Sequence, residues 1–219
     1  SALAANTTAG DNIAIGHIAL GSCTTGASNT AVGYTALTAS TTAGSNTAVG
    51  HRALTTNTTG AQNTALGKDA GDLITTGSNI TCLGYQADPS AADTSNEFVL
   101  GNSSVDDLRC NDDSIAALSD KRDKTEIIDL PYGLDFINKT RPVQFKWDKR
   151  TFIEGDPKQG KTHNGFIAQE LLALGNNEQH RLVLDTNPEK LESRYSKLIP
   201  MLTKAIQELS AKVEDLEKQ

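Results

Sequence analysis

The stretch "NTAVGYTAL", residues 29–37, decides the fold of the first half of the chain because it recurs there. "NIAIGHIAL" (12–20), "NTAVGHRAL" (46–54) and "NTALGKDAG" (63–71) align with it, and "ITCLGYQA" (80–87) and "EFVLG" (97–101) extend the series. The aligned glycines, seventeen residues apart, are Gly16, Gly33, Gly50, Gly67, Gly84 and Gly101. Six units in one register predict a repeat architecture in which each coil stacks on the next.

Each repeat unit combines a short strand of alternating small and apolar residues, a glycine, a second apolar piece and a Thr/Ser/Gly turn. A period of this length with strand character indicates a β-solenoid or a related β-prism-like array. The residues expected to face inward are Ile13, Ile15, Val32, Val49, Leu66 and Leu83, joined by Leu20, Leu37 and Leu54 from the second piece.

Large apolar residues are few in this half of the chain, and aromatic residues make up only 5% of the whole sequence. A single coil of this composition buries too little apolar surface to offset the loss of chain entropy. We therefore expect several chains to associate around one axis, as a trimer. The repeats resemble the "AVG"-type units of trimeric adhesin heads and phage tail-fibre shafts.

Metal and cofactor sites are not expected. His17 and His51 occupy equivalent repeat positions, but the variation at that position favours a solvent-facing row over a metal site on an axis. Three cysteines, odd in number and far apart, are expected to be buried free thiols; they are Cys23, Cys82 and Cys110. The turn aspartates Asp11, Asp69 and Asp72 lack the spacing of a calcium-binding loop.

The charge distribution divides the chain. Residues 1–118 contain three basic and ten acidic side chains, whereas residues 119–219 contain 17 of each, so the first half carries the whole net charge of −7. This distribution argues against nucleic acid as a partner, because no basic stripe is available to displace counterions from phosphates. The sequence has no apolar run long enough to predict membrane insertion.

The second half predicts a mixed α+β domain. A helical stretch is expected around residues 132–137, and "RPVQFKW" (141–147) predicts a strand with Val143, Phe145 and Trp147 on one face. "FIAQELLALG" (166–175) predicts a helix that ends at its glycine. "HRLVLDTN" (180–187) predicts a strand and a turn.

A long helix is expected to begin near Pro188 and to form a coiled coil over about residues 190–219. Its heptad positions are Ile199, Ile206 and Val213 at a, with Leu202, Leu209 and Leu216 at d. Branched residues at a with leucine at d favour dimers by simple rules, but we expect the shaft to impose a trimer. The alternative is an amphipathic helix that packs on its own domain.

Four sequence blocks of the second half occur in an order and spacing that resemble the peptidase S74 family: "SDKRDK" (119–124), "PVQFKW" (142–147), "HNGFIAQE" (163–170) and the C-terminal helix. This family comprises the C-terminal intramolecular chaperones of phage endosialidases, tailspikes and tail fibres, and it also occurs in a myelin regulatory factor. The resemblance implies that residues 119–219 trimerise, template the folding of the preceding shaft (residues 1–118), and then detach by autoproteolysis. In "HNGFIAQE" an acid–base pair of His163 and Glu170 is less favoured than a packed loop and helix.

By this resemblance the nucleophile is Ser119, the base is Lys124, the cleaved bond is Ser119–Asp120, and Arg122 completes the motif. A lysine can take the proton of a serine hydroxyl only when desolvation or nearby cations lower its pKa. Residues five apart do not share a helix face, so an irregular turn or a lysine from a partner chain is expected. Attack by Ser119 on the Leu118 carbonyl remains an alternative.

The sequence as a whole predicts a segment of a phage tail fibre or tailspike: a homotrimeric shaft followed by a self-cleaving serine endopeptidase that needs no cofactor. Such a protein is assembled in the host cytoplasm and resides in the virion tail, and the complete fibre binds a glycan or protein receptor on the host surface. The alternative is a trimeric bacterial surface adhesin whose C-terminal domain trimerises without cutting.

Overall fold

The computed structural model describes residues 1–105, 107–111, 119–146, 160–189 and 191–218. It divides the chain into two compact units, one formed by residues 1–105 and the other by the described residues from 107 onward. The predicted domain boundary after residue 118 adjoins residues 112–118, which lie outside the described residues, and it stays a prediction.

The first unit is a parallel β-solenoid with one three-residue strand in each coil, as the repeat predicted. Consecutive strands pair in parallel and in register, so that Thr30 lies beside Thr47 and Ala31 beside Ala48. The strands are β1 (Ile13–Ile15), β2 (Thr30–Val32), β3 (Thr47–Val49), β4 (Thr64–Leu66), β5 (Thr81–Leu83) and β6 (Phe98–Leu100).

The glycine after each strand allows the coils to approach closely. At Gly33 the backbone has φ +141°, and an added Cβ would collide with the carbonyl group of Gly50 in the next coil. A residue with a side chain would therefore push two coils apart as well as strain its own backbone. This explains why the seventeen-residue glycine register is strict.

The interior of the coil holds small strand residues and the leucines of the second piece. The middle residue of each strand points inward, and Ala31, Ala48, Ala65 and Cys82 are fully buried. The prediction that Leu20, Leu37 and Leu54 face inward is confirmed, because all three are fully buried.

The predicted inward direction of the strand-end residues is wrong. More than half of the surface of Ile13, Ile15 and Leu66 is exposed, and Val32, Val49 and Leu83 are only half-buried. Successive strand residues point to opposite faces, so the first and third residues share the face opposite the buried middle one. The leucines fill the narrow interior and leave room in most coils for only a methyl group from the strand.

A ladder of asparagines joins the coils inside the solenoid. The backbone N–H of Asn46 donates to Asn29 Oδ1 (3.0 Å), and the N–H of Asn63 donates to Asn46 Oδ1 (2.9 Å). Each amide also donates to a carbonyl fourteen residues ahead, as Asn63 Nδ2 does to Gly77 O (2.8 Å). Because these side chains are fully buried, the ladder satisfies interior backbone groups that the short strands leave without partners. It ends at Ile80, whose N–H donates to Asn63 Oδ1 (3.0 Å).

The second unit has a small α+β core. Its strands form two antiparallel pairs, β7 (Val143–Lys146) with β8 (Thr162–Gly165) and β9 (Val183–Leu184) with β10 (Glu192–Ser193). Its helices are α1 (Leu134–Ile137), α2 (Ala168–Ala173), α3 (Asn177–His180) and α4 (Leu198–Glu217). The core consists of Leu171, Leu182, Val183, Leu198 and Met201, with Tyr132 and Phe136 packed against them.

Several predicted elements of this unit are confirmed. α1 lies within the expected stretch, and Val143 and Phe145 are half-buried while the residues between and after them are exposed. Trp147 lies outside the described residues. α2 is followed by Gly175 at φ +81°, the left-handed conformation that commonly ends a helix.

The predicted start of the long helix near Pro188 is wrong. Glu192 and Ser193 pair with Leu184 and Val183 as strands, and α4 begins only at Leu198 after a short 3-10 turn over Tyr195–Lys197. The strand pairing uses the backbone groups that a longer helix would need for its own hydrogen bonds.

The three cysteines are free thiols, and Cys23 and Cys82 are buried as predicted. The prediction is wrong for Cys110, which is exposed. Among the described residues, no helix combines the length and the apolar character needed to cross a bilayer.

Candidate active site: a serine–lysine pair

A short turn at the beginning of the second unit brings the predicted site residues together. Residues Lys121–Asp123 form a single turn of 3-10 helix, and Asp120 precedes it in an extended conformation. Asp120 Oδ1 accepts a hydrogen bond from the backbone N–H of Arg122 (2.9 Å), which makes Asp120 the N-cap of the turn. The sequence "SDKRDK" thus folds locally, because the aspartate supplies the acceptor that the first turn lacks.

The side chain of Arg122 also contacts Asp120. Its Nε donates to both carboxylate oxygens of Asp120, at 3.1 Å each, and its Nη2 donates to Oδ2 at 2.6 Å. These hydrogen bonds, together with the backbone one, hold the pKa of Asp120 below its usual value, and the same side-chain contact raises the pKa of Arg122. A bidentate ion pair of this kind fixes geometry as well as charge.

Lys124 folds back over the turn onto Ser119. Its Nζ lies 2.6 Å from Ser119 Oγ and 3.1 Å from the carbonyl oxygen of Ser119. Lys124 itself has extended dihedral angles (φ −123°, ψ 139°), so the chain leaves the turn at this residue and the side chain points back. One amine therefore contacts both the predicted nucleophile and the carbonyl of the bond predicted to break.

The pair forms within one chain. An irregular turn and a lysine from a partner were the two arrangements expected from the sequence, and this structure contains the first. Every residue from Ser119 to Lys124 is exposed to solvent. Leu118, whose carbonyl is the alternative target of Ser119, lies outside the described residues.

A family comparison bears on the same residues. Residues 119–179 match the model of the Peptidase S74 family, described as the chaperone of endosialidase. These residues are similar to a Peptidase S74 domain, and we use the name S74 domain for this part of the chain. Comparison of the whole chain with curated proteins and with solved structures found no significant match.

The match to the S74 domain begins at Ser119 and ends at Gln179, within α3. It includes the serine–lysine pair, the β7–β8 pair and α2. The heptad part of α4 lies beyond the matched range, and so does the solenoid. The match supports an intramolecular chaperone role for the domain.

Sequence reasoning missed two features of the S74 site. The motif suggested Arg122 only as a supporting position, whereas the structure shows that Arg122 and Asp120 hold the turn closed. The contact of Lys124 with the Ser119 carbonyl oxygen was also not anticipated. The sequence signal for the Asp120–Arg122 contact is an acidic residue followed two positions later by arginine. At that spacing the side chain can reach the carboxylate of a capping aspartate.

The other residues considered from the sequence are placed elsewhere. His17 and His51 lie in an exposed row on the solenoid, where Tyr34 stacks between them with ring centroids 5.3 and 5.1 Å apart. This agrees with the solvent-facing position predicted for both histidines. Among the described residues, no group of three or more His, Cys, Asp or Glu side chains is arranged to hold a metal ion.

Within the S74 domain the "HNGFIAQE" block is divided between β8 and α2. The ring of His163 stacks on Phe145 (5.9 Å between centroids), whereas Glu170 forms an ion pair with Arg141. The hydrogen bonds from Arg141 hold the pKa of Glu170 below its usual value. These contacts tie strand and helix together and support the packing role that the sequence favoured for this block.

Proposed function

We propose that the chain is a segment of a phage tail fibre or tailspike whose S74 domain directs trimerisation and folding of the β-solenoid and then detaches by cleaving at Ser119. The observation that carries the proposal is the contact of Lys124 Nζ with both Ser119 Oγ (2.6 Å) and Ser119 O (3.1 Å) at the start of an S74 domain. Both distances fall in the range in which proton transfer and carbonyl polarisation take place.

The chemistry depends on the protonation state of lysine. A water-exposed lysine is an ammonium ion at neutral pH, and an ammonium donates protons rather than accepting them. Desolvation favours the neutral amine, which then takes the proton of the serine hydroxyl. Because Ser119 and Lys124 are exposed in the single chain, we propose that assembly of the trimer buries them and thereby starts the reaction.

The Lys124 contact with Ser119 O favours cleavage of the Ser119–Asp120 bond over the Leu118–Ser119 bond. The net reaction is a hydrolysis: the carbonyl carbon of Ser119 gains a hydroxyl group from water, and the amide nitrogen of Asp120 gains a proton. The products are a shaft that ends in a serine carboxylate and a chaperone fragment that begins with a free aspartate amine.

The helix α4 supports trimerisation because it has two apolar stripes with different partners. Leu198, Met201 and Ala205 are buried against the rest of the second unit. The heptad residues are largely exposed, at 44–68%: Ile199, Leu202, Ile206, Leu209, Val213 and Leu216. The heptad stripe is therefore left uncovered in the single chain, although α4 packs on its own unit through its other stripe, and a parallel coiled coil with two other copies would cover it.

The phage setting follows from the same reasoning. A repetitive solenoid joined to a chaperone that leaves after folding suits an assembled fibre, which is made in the host cytoplasm and resides in the virion tail. We propose that the complete fibre binds a glycan or protein receptor on the host surface. Membrane insertion and nucleic-acid binding have no part in this proposal.

The test is intact-mass spectrometry of the full chain after folding. The parent chain should yield two fragments, each about half of 23.2 kDa, and the second should begin at Asp120. Ser119→Ala and Lys124→Ala should remain intact. Lys121→Ala is the matched control, because it removes an exposed lysine of the same turn and should be cleaved like the parent.

A folded, assembled parent chain that stays intact would refute the proposal, as would a Lys124→Ala chain that is cleaved at the parental rate. A second fragment that begins at Ser119 would instead identify the Leu118–Ser119 bond. The exposure of the pair in the single chain also suits the second candidate, a non-cleaving trimeric surface adhesin. That function would be supported by a trimer that persists without cleavage.

A further inference from the structure

The outer face of the solenoid strands is an apolar surface that runs the length of the repeat. The first and third residues of each strand share this face, and the parallel, in-register pairing places equivalent residues directly above one another. The third positions form an unbroken aliphatic row: Ile15, Val32, Val49, Leu66, Leu83 and Leu100. The first positions are Ile13, Thr30, Thr47, Thr64, Thr81 and Phe98. We call these twelve residues the strand face.

The strand face exposes large apolar side chains, whereas the strand residues that point into the interior are mostly small. Ile15, Leu66 and Phe98 are 61%, 53% and 66% exposed. The middle residues of the four central strands, three alanines and one cysteine, are fully buried. Removing these exposed side chains from water would add to the apolar burial that a single coil obtains from its narrow interior.

We infer that the strand face is the surface through which three copies of this solenoid pack together around an axis parallel to the coil stack. The inference rests on the proposed function for the existence of a trimer, and it adds the contact surface within the shaft. It replaces the sequence-based expectation that the same side chains fill the interior of one coil.

Charge permits a copy of the same chain as the partner. Residues 1–105 contain six acidic and two basic side chains, so identical solenoids carry a net charge of −4 each and repel one another. None of the twelve residues of the strand face is charged. The ion pairs of the solenoid involve Arg52, Lys68, Asp69 and Asp72, which lie in the segments that follow the strands. Like-charged copies can therefore meet on the strand face without burying a charge.

The repeat itself also argues for self-association. In the four central coils the strand face offers the same pair at each level, a threonine followed by a valine or leucine. A partner must match that pair at every level with the same vertical spacing. A second copy of the chain has this spacing by construction, whereas an unrelated globular partner does not.

The small size of the strand face would make association of the solenoids depend on the S74 domain. Six strands about 4.8 Å apart span about 24 Å, and three residues extend about 10 Å, giving roughly 240 Å² in projection. A stable interface buries about 800 Å² per partner, so this face is too small to hold separate chains together on its own. A C-terminal domain that first joins three chains raises the local concentration of the solenoids, and weak faces then associate.

Disulfide cross-linking tests the inference on the full chain. In a Ser119→Ala, Cys110→Ser background, which removes cleavage and the exposed thiol, Val49→Cys places a thiol in the centre of the strand face. Mild oxidation should then give covalent dimers on a non-reducing gel. Tyr34→Cys is the control, because it places an exposed thiol in the row of histidines and tyrosines, where three copies would not meet.

The outcomes separate this inference from the proposed function. Cross-linking through Val49→Cys and not through Tyr34→Cys supports the strand face as the contact. A trimer in sedimentation that cross-links only through Tyr34→Cys, or through neither cysteine, overturns the inference and leaves the proposed function standing. A monomer overturns both. Circular dichroism of each variant should match that of the parent, because both positions are exposed or half-buried in the single chain.

Discussion

Replacement of Asn63 by alanine should open the solenoid locally by a predictable amount. The Asn63 side chain accepts from the Ile80 N–H (3.0 Å) and donates to Gly77 O (2.8 Å), and all three residues are buried. Asn63→Ala leaves both backbone groups inside the coil without that partner. An unsatisfied buried group costs about 1–3 kcal/mol, so the loss should be about 2–6 kcal/mol.

The neighbouring rung of the ladder supplies a graded comparison. Asn46→Ala removes the acceptor of the Asn63 N–H and one donor to Gly60 O. Gly60 O, however, keeps a second donor in Asn57 Nδ2 (2.8 Å). Only one group therefore loses its partner, and the expected cost falls to about 1–3 kcal/mol.

Hydrogen exchange measured by mass spectrometry suits this test because it gives the opening free energy of each shaft peptide in the intact chain. All variants are compared at one protein concentration in a Ser119→Ala background, so that assembly and cleavage do not differ. Thr59→Ala is the control, since Thr59 is exposed, lies outside the strand face, and its loss should change stability by less than about 0.5 kcal/mol. Equal losses for Asn46→Ala and Asn63→Ala, or losses no larger than that of Thr59→Ala, would refute the argument from unsatisfied groups.

Three further predictions concern the turn, the second unit and the cysteines. Arg122→Lys removes the guanidinium group that holds the capping carboxylate of Asp120. Cleavage should then slow at least tenfold, while the far-UV circular dichroism spectrum stays unchanged. An unchanged cleavage rate would show that the ion pair does not position the site. Gly133→Ala should displace the Glu208 carboxylate, which accepts a hydrogen bond from the N–H of Leu134 (2.7 Å). The second unit should lose about 1–2 kcal/mol of stability. This loss should largely vanish in a Glu208→Ala background. A thiol reagent at pH 8 should modify one cysteine of the folded chain, Cys110, since burial raises the pKa of Cys82 to about 12, and modification of more than one thiol would contradict the described packing.

The raised pKa of Cys82 also affects stability in alkali. The folded chain retains the thiol proton above pH 9.0, the usual value, whereas the unfolded chain loses it, so stability should fall as the pH rises from about 9 towards 12. The slope should be at most about 1.4 kcal/mol per pH unit. Cys82→Ala, which places in β5 the residue found at the same position of β2, β3 and β4, should remove this part of the loss.

The sequence predicted the repeat well and its inner face poorly, for one physical reason. The glycine register is visible because a side chain at Gly33 would collide with the next coil, and the leucines of the second piece are large and therefore identifiable as core. The strand triplet is ambiguous: in "TAV" the valine is the more hydrophobic residue, yet the alanine is buried. Hydrophobicity decides direction only when the interior has room for the larger residue, and here the interior volume was unknown from sequence.

The start of α4 was unpredictable for a different reason. Residues 188–197 carry no proline or glycine after Pro188, and their composition suits a helix. Residues Glu192 and Ser193 are strand and not helix because they pair with β9. This contact joins segments about ten residues apart, and no local sequence pattern encodes it. The identity of the serine and the lysine was predictable from the family motif. The 3-10 turn that brings them into contact was not, because this single turn depends on the Asp120 cap and the Asp120–Arg122 ion pair together.

Under the proposed function, the geometry of the serine–lysine pair constrains how cleavage can be timed. If alignment were what assembly contributed, Ser119 and Lys124 would lie apart in the single chain, but Nζ and Oγ are already 2.6 Å apart. The contribution left for assembly is the removal of water, since a solvated ammonium does not accept the serine proton. In that proposal, solvation of the pair is what holds back cleavage in a chain that has not assembled. This arrangement allows cleavage to follow burial without a further rearrangement of the turn, which the Asp120–Arg122 pair would resist.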